Sequence, residues 1–232
     1  MILFDNLPQV LEAARGSARV LDVGGWYRPL NLATDVIDIL PYETRRTHEP
    51  LDPENPERFT DQSWVVADIC DGRWPYQDDE FDFVFCSHTL EDVRDPVHVA
   101  REIARVGKAG YIETPSAMRE IYCKRRWPWR ALLRGGAPDI GFPHHRWFME
   151  HDGAHGVVFS AKTLRVTQVR AFYLTRREAG GKLTQAESGC GLWWQGSFTA
   201  RENIHLDYDQ YHRDLKQRAL ATIRKRKTGS AG

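Results

Sequence analysis

Val20-Leu21-Asp22-Val23-Gly24-Gly25, Val36-Ile37-Asp38-Ile39 and Trp64-Val65-Val66-Ala67-Asp68-Ile69, followed by Glu80-Phe81-Asp82-Phe83-Val84-Phe85-Cys86-Ser87-His88, decide the fold. Each apolar run is short, rich in β-branched or aromatic residues, and bounded by turn formers, so each reads as a strand. Two of the first three end on an acidic residue, Asp38 or Asp68, and the other ends on paired glycines. In a parallel sheet these ends lie side by side, at the edge where open α/β folds bind ligands. The row of strand tips is therefore the candidate cofactor site.

Working outward, Leu7 to Ala14 has helical apolar spacing and stops near Gly16, and strand one covers about Arg19 to Val23. The stretch from Gly25 to Asp35 is too short for a full crossover helix and is interrupted by Pro29, which predicts a loop or a single turn. Pro41 to Asp61 is polar and proline-rich, with room only for a short helix near Glu54 to Phe59, and strand three follows at Trp64 to Asp68. Asp95-Pro96 reads as an N-cap and first-turn proline opening an amphipathic helix through Val97, Ala100, Ile103 and Ala104, which Gly107 and Gly110 end before a fifth strand at Tyr111-Ile112-Glu113. Beyond it, Arg119 to Arg134 gathers Arg119, Lys124, Arg125, Arg126, Arg130 and Arg134 around Tyr122, Trp127 and Trp129, and reads as an insertion or lid within 116–150. Arg146 to Met149 and Val157 to Ser160 flank Asp152-Gly153 as a hairpin, Leu192 to Phe198 reads as a late antiparallel strand, and Asp214 to Lys227 is at best a basic helix in a tail over 214–232.

The bulk numbers bound the answer. At 232 residues the chain suits one α/β domain, with a core over 19–115 and C-terminal strands over 151–213. Lys plus Arg and Asp plus Glu are both 32, so the formal charge is zero and no global field favours a polyanion. Cys70, Cys86, Cys123 and Cys190 contain no Cys-x-x-Cys pair, and no signal peptide or long apolar run is present. A reduced, cytoplasmic protein off the membrane is expected. Most of the eight tryptophans lie beyond the fourth strand, where a substrate side would be built, although packing explains each of them singly.

The order of these strands resembles the class I S-adenosylmethionine-dependent methyltransferases, of the type 11 kind, and the segment Asp79 to Pro96 is similar to that family's fourth-strand region. The resemblance covers roughly Arg19 to Pro115. It implies a Rossmann-like, doubly wound and mostly parallel sheet, with S-adenosylmethionine bound and S-adenosylhomocysteine released. Gly24 and Gly25 would let the backbone approach the donor's methionyl carboxylate, and Asp38 would accept both ribose hydroxyls. Asp68 would take the adenine amino group, Ile69 would pack on the ring, and Ser87 and His88 would face the sulfonium. Where the family commonly runs Gly-x-Gly-x-Gly, this chain reads Gly-Gly-Trp-Tyr-Arg-Pro, and Arg28 either pairs with the donor's carboxylate or forms a structural salt bridge. The same loop argues against a nicotinamide site, which needs Gly-x-Gly-x-x-Gly opening a helix. Each residue also has a plain structural reading as a turn former, but their joint order favours the cofactor.

Methyl transfer to oxygen needs a base, and histidine suits neutral pH. The candidates are His88, His144 and His145, of which only one of the adjacent pair enters the pocket if that segment is extended. Glu91 and Asp92 stand where many relatives have Glu-His, which removes a carried-over histidine. No metal is expected, since adjacent histidines seldom share an ion, even with a carboxylate such as Glu113 nearby. The basic insertion reads as a solvated face, as a site for an anionic small acceptor, or, with Arg224-Lys225-Arg226-Lys227, as a nucleic-acid patch; neutral charge and the lack of an RNA module favour the small acceptor. The reading is thus a small-molecule O-methyltransferase of sugar, polysaccharide or natural-product biosynthesis, with a homodimer compatible. RNA or protein methylation and an inactive scaffold are the alternatives.

Overall fold

The computed structural model describes residues 5–45, 50–124, 139–153 and 155–229. Its centre is a six-stranded sheet of β1 (Val20–Val23), β2 (Asp35–Asp38), β3 (Trp64–Val66), β4 (Phe83–Ser87), β5 (Ala109–Pro115) and, far along the chain, β10 (Gly189–Gln195). The order is β10-β5-β4-β1-β2-β3, and all pairs are parallel except β10 with β5. The chain winds outward in one direction through β2 and β3 and in the other through β5, so the switch point falls between β1 and β4. A crevice at the carboxyl ends of these strands follows from that reversal. The α/β class, the parallel core and the late antiparallel strand agree with the sequence reading.

Alternation along the strands splits the core in two. Leu21, Val23, Ile37, Val84, Cys86 and Ile112 pack against Val99, Ala100, Ile103 and Val106 of α2 (Pro96–Val106). Val20, Val36, Phe83, Phe85 and Tyr111 face the other way, onto Val10 and Ala14 of α1 (Leu7–Arg15) and onto Leu30, Leu32 and Ala33. The β1–β2 connection carries no helix, as its length predicts, and its own leucines cover the face that a crossover helix would otherwise cover. Asp95 caps α2 by accepting from the His98 N–H at 2.9 Å, and Pro96 fills the first turn, where no amide donor is needed.

A helix expected over Glu54 to Phe59 does not form. Pro53 and Pro56 lack amide donors, and Asn31 Nδ2 instead holds the carbonyls of Asp52 and Asn55 at 2.9 and 2.8 Å in a turn. The helical turns of this stretch are the 3₁₀ segments Tyr42–Thr44 and Asp61–Ser63, the second capped by Thr60. Strand three is also shorter than expected and ends at Val66, so Asp68 lies beyond the ladder.

After β5 come a one-turn helix α3 (Ala117–Glu120) and β6 (Tyr122–Cys123). Arg125, Arg126, Trp127, Trp129, Arg130 and Arg134 of the expected lid lie outside the described residues. The expected hairpin is β7 (Trp147–His151) with β8 (Gly156–Ala161), joined by β11 (Thr199–Glu202) on the far side of β8. Two further turns, α4 (Arg165–Gln168) and α5 (Gln185–Ser188), flank β9 (Leu174–Thr175), which pairs with β6.

The C-terminal segment differs from a loose basic tail. α6 runs over Tyr208–Gly229, starting six residues before Asp214, and buries Tyr211, Leu215, Ala219 and Ile223 at intervals of four against Ile121, Phe148, Tyr173 and Leu174. Arg224 and Lys225 lie on its exposed side. Among the described residues no helix is long and apolar enough to cross a membrane. Leu215→Ala should cost about 2–5 kcal/mol in urea unfolding, against about 0.5 kcal/mol or less for Arg224→Ala. Equal, small effects would show that α6 does not contribute to the core.

Candidate functional site

Paired glycines at the tip of β1 are required by contact on two sides. Gly24 has φ +78°, and a Cβ there would stand 2.3 Å from Thr89 Oγ1; at Gly25 it would meet Asp22 Oδ2 at 2.7 Å. The Gly24 N–H is already committed to the Ile37 carbonyl at 2.9 Å, so what these glycines provide at the tip is close approach. Beneath them the Asp22 carboxylate, 2% exposed, accepts the Leu30 N–H at 2.7 Å, and burial pushes its pKa up to about 7. Asp22 sits within the quoted β1 run and was not assigned a role from sequence, although a carboxylate inside a buried apolar strand is itself a signal.

Asp38 joins the first loop to the tip of β2. It accepts the Trp26 N–H at 3.0 Å on Oδ2 and the Leu40 N–H at 2.9 Å on Oδ1; burial raises its pKa and these bonds partly offset the rise. Each carboxylate oxygen has two acceptor positions, so capacity remains for further donors. Beside it Tyr27, Ile39, Leu40 and Val66 are exposed apolar side chains. Val66 is the register partner of Asp38, which places this patch on the β2–β3 edge. Arg28 sits half-buried in the same first loop.

Asp68 and Ile69 are placed differently from the sequence reading. Asp68 is ion-paired with Arg94, which holds its carboxyl below the usual range, and it accepts the Cys70 N–H at 2.9 Å as the start of a turn. Ile69 points into the α2-side core and is 7% exposed, because Trp74 packs around it and donates Nε1–H to its carbonyl at 2.9 Å. The apolar surface open at this edge belongs to Ile39, Leu40 and Val66.

On the other side of the switch point, Ser87 ends β4 in register with Glu113. His88 follows with φ +55°, an unusual backbone for a side-chain-bearing residue, fixed by its N–H donating to the Glu113 carbonyl at 2.8 Å. Its Nδ1 lies 3.2 Å from Glu91 Oε1 and its Nε2 3.5 Å from Glu113 Oε1. Burial favours the neutral ring, but the two carboxylates outweigh it and push the pKa up to about 9. His88 is therefore an imidazolium at neutral pH. Glu113 also accepts from the Tyr111 hydroxyl, to which Asn6 Nδ2 donates at 2.6 Å. Glu91 and Glu113, 2% and 1% exposed, are members of this site that the sequence reading left without this role.

A second cluster shares the loop after β4. The His145 N–H reaches the Phe142 carbonyl at 3.3 Å, so His144 and His145 lie in a turn, and the extended segment that would separate them does not occur. Their rings stand 4.5 Å apart, and one donor atom from each, with one from Asp92, lie within 4.8 Å of one another. Buried His145 bonds through Nδ1 to Glu120 Oε1 at 2.7 Å, while its Nε2 lies 3.9 Å from Asp92 Oδ1. Glu120, fully buried, is also ion-paired with Lys162; burial raises its pKa, but His145 and Lys162 more than offset this and keep it low. The Glu91 carbonyl accepts the N–H of Arg146 at 2.7 Å and of Trp147 at 3.3 Å, which joins the two loops. Further along, a cleft of about 310 Å³ is lined by Arg119, Tyr122, Lys124, Arg176, Lys182, Leu183 and Ser188.

Residues 34–112 match the family model described as a methyltransferase domain. No curated protein matches the chain. Among solved structures it is similar to the N-terminal domain of EvdMO1 in the presence of SAH and D-fucose, at 22% identity over 48% of this chain and 50% of that one, with a TM-score of 0.36. It is also similar to an S-adenosylmethionine-dependent methyltransferase from Mesorhizobium loti, at 18% identity over 51% and 56% with a TM-score of 0.34, and to the [4+2]-cyclase SpnF, at 18% over 53% and 50% with a TM-score of 0.35. The chain spans about half the length of these structures. The strand order, the switch point and the family match together identify the fold as that of the class I methyltransferases.

The His88 assignment has a direct check. Its folded pKa lies above the ordinary value of about 6.5, so its stabilising ion pairs are fully present below that pH and are lost as pH rises through about 9. An NMR titration of the His88 ring should show a midpoint near 9 that falls toward the ordinary value in Glu113→Gln. A wild-type midpoint below 7 would remove the imidazolium.

Proposed function

We propose that the protein is an S-adenosylmethionine-dependent methyltransferase acting on an oxygen of a small, anionic acceptor. The observation that carries this reading is the β2 tip, where a buried carboxylate with spare acceptor capacity adjoins exposed apolar side chains. Ribose hydroxyls suit the first and a planar base suits the second. Asp38 would take the hydroxyls, Ile39, Leu40 and Val66 the adenine, and Arg28 the methionyl carboxylate, with Gly24 and Gly25 admitting that end of the donor. Ile39 thus replaces Ile69 as the ring contact, and Asp68 serves through its ion pair with Arg94 at the rim. Ser87 and His88 would border the methyl group.

The donor supplies a methyl group on a sulfonium and leaves as S-adenosylhomocysteine. In the transfer the acceptor oxygen forms the new bond to carbon, the carbon–sulfur pair returns to sulfur, and the hydroxyl proton passes to a base. His88, held as a cation, would orient the acceptor, and proton acceptance falls to the 144–145 pair. In-line positioning and exclusion of water contribute the rest. The cleft bearing Arg119, Lys124, Arg176 and Lys182 beside Tyr122 supports an anionic acceptor, such as one carrying phosphate or carboxylate.

Calorimetric titration with S-adenosylhomocysteine should show saturable binding that Asp38→Ala weakens by about ten- to a hundred-fold, the range for lost hydrogen bonds to a charged group. Absence of binding by either the donor or its product would favour a scaffold. With an acceptor in hand, replacing His144 and His145 singly by Ala should lower kcat by about 10²–10⁴ for whichever residue moves the proton, and His88→Ala should raise KM through lost orientation of the acceptor. Full turnover at an unchanged KM in all three would eliminate these histidines from the chemistry.

A further inference from the structure

We infer that Asp92, His144 and His145 form a binding site for one divalent transition-metal ion, of the zinc or cobalt type. Adjacent histidines seldom share an ion, which is why none is expected from sequence, but the Phe142–His145 turn sets these two rings 4.5 Å apart and nearly perpendicular. Two imidazole nitrogens and one carboxylate oxygen are the donor set such ions take, and three protein ligands leave a position open for water or substrate. Donor atoms within 4.8 Å of one another need to close by little more than an ångström to surround an ion at bond lengths of about 2.0–2.2 Å. Asp92 and His144 are exposed, so they have room to make that movement and the ion has a path of entry.

A second, independent feature points to a ligand. His145 is 8% exposed and oriented from behind: Glu120 holds Nδ1 at 2.7 Å, while Nε2 is turned toward Asp92. A carboxylate on one ring nitrogen fixes the tautomer that leaves the other nitrogen's lone pair for a metal, and such partners tune affinity. Glu120 is itself fixed by Lys162, whose Nζ also donates to the Phe142 carbonyl at 2.7 Å, so the whole support is tied to the turn carrying both histidines. Glu113, the carboxylate considered from sequence, faces His88 and takes no part.

Binding of the ion does not depend on the methyl-transfer reading; its use does. If that reading holds, an ion at the mouth of the β4 edge would take an acceptor hydroxyl in its open position and lower that hydroxyl's pKa. A ligated nitrogen cannot accept a proton, so the acidified hydroxyl would lose its proton to solvent water rather than to His144 or His145.

The test uses the full chain, stripped with a chelator and dialysed, titrated with Zn²⁺ by calorimetry and with Co²⁺ followed by its visible absorption. One ion per chain is expected. Asp92→Ala and His144→Ala, both at exposed positions, should each weaken binding at least about ten-fold, and Glu120→Gln, which supplies no ligand atom, should weaken it about ten- to a hundred-fold. Near-UV circular dichroism of each variant separates lost ligation from lost folding. The site is overturned if the wild-type chain shows no saturable uptake of either ion, or if the folded Asp92→Ala and His144→Ala proteins bind as tightly as wild type. S-adenosylhomocysteine titrated into the same preparations reports on the cofactor reading separately.

Discussion

One hydrogen bond, from the Leu30 N–H to the buried Asp22 carboxylate, lets β1 and β2 stand side by side without a helix between them. A parallel crossover normally buries its apolar side through a helix, and here a short proline-containing loop must do so with Leu30, Leu32 and Ala33. The bond fixes where those side chains enter the core. It also fixes the carboxylate under Gly25, where any Cβ would collide with it. The first loop is thereby set in shape before any ligand arrives, and Asp38 fastens its other end through the Trp26 amide.

The β4 side relies on charge. Glu91 and Glu113 are nearly inaccessible to water, and two buried carboxylates are tolerable only if a cation stands between them. His88 is that cation, and its left-handed backbone is the means of placing one ring within reach of both. On the proposed reading, such pre-arranged charge would leave little reorganisation when the substrate changes charge.

Much of this was legible in the chain itself. Buried parallel strands are continuous apolar runs, so β1 to β5 could be placed from those runs, with the paired glycines and Asp38 at the tips of β1 and β2, although β3 stops short of Asp68. Side-chain direction past a strand end could not. Ile69 looks like its neighbour Ile39 in sequence, yet Trp74 draws it inward while Ile39 stays in water. His144 and His145 converge because a turn, which their sequence does not specify, replaces an extended segment. α6 was underestimated because its four apolar positions are diluted by many charged residues, and only packing against distant strands reveals them.

Tyr27, Ile39, Leu40 and Val66 leave a greasy ledge on a molecule whose formal charges cancel. Without electrostatic repulsion between copies, such a ledge invites two empty molecules to adhere to one another. A flat ring laid across it would shield it from solvent and from other chains alike. On the proposed reading, a donor bound at this edge would lower that tendency, quite apart from any turnover.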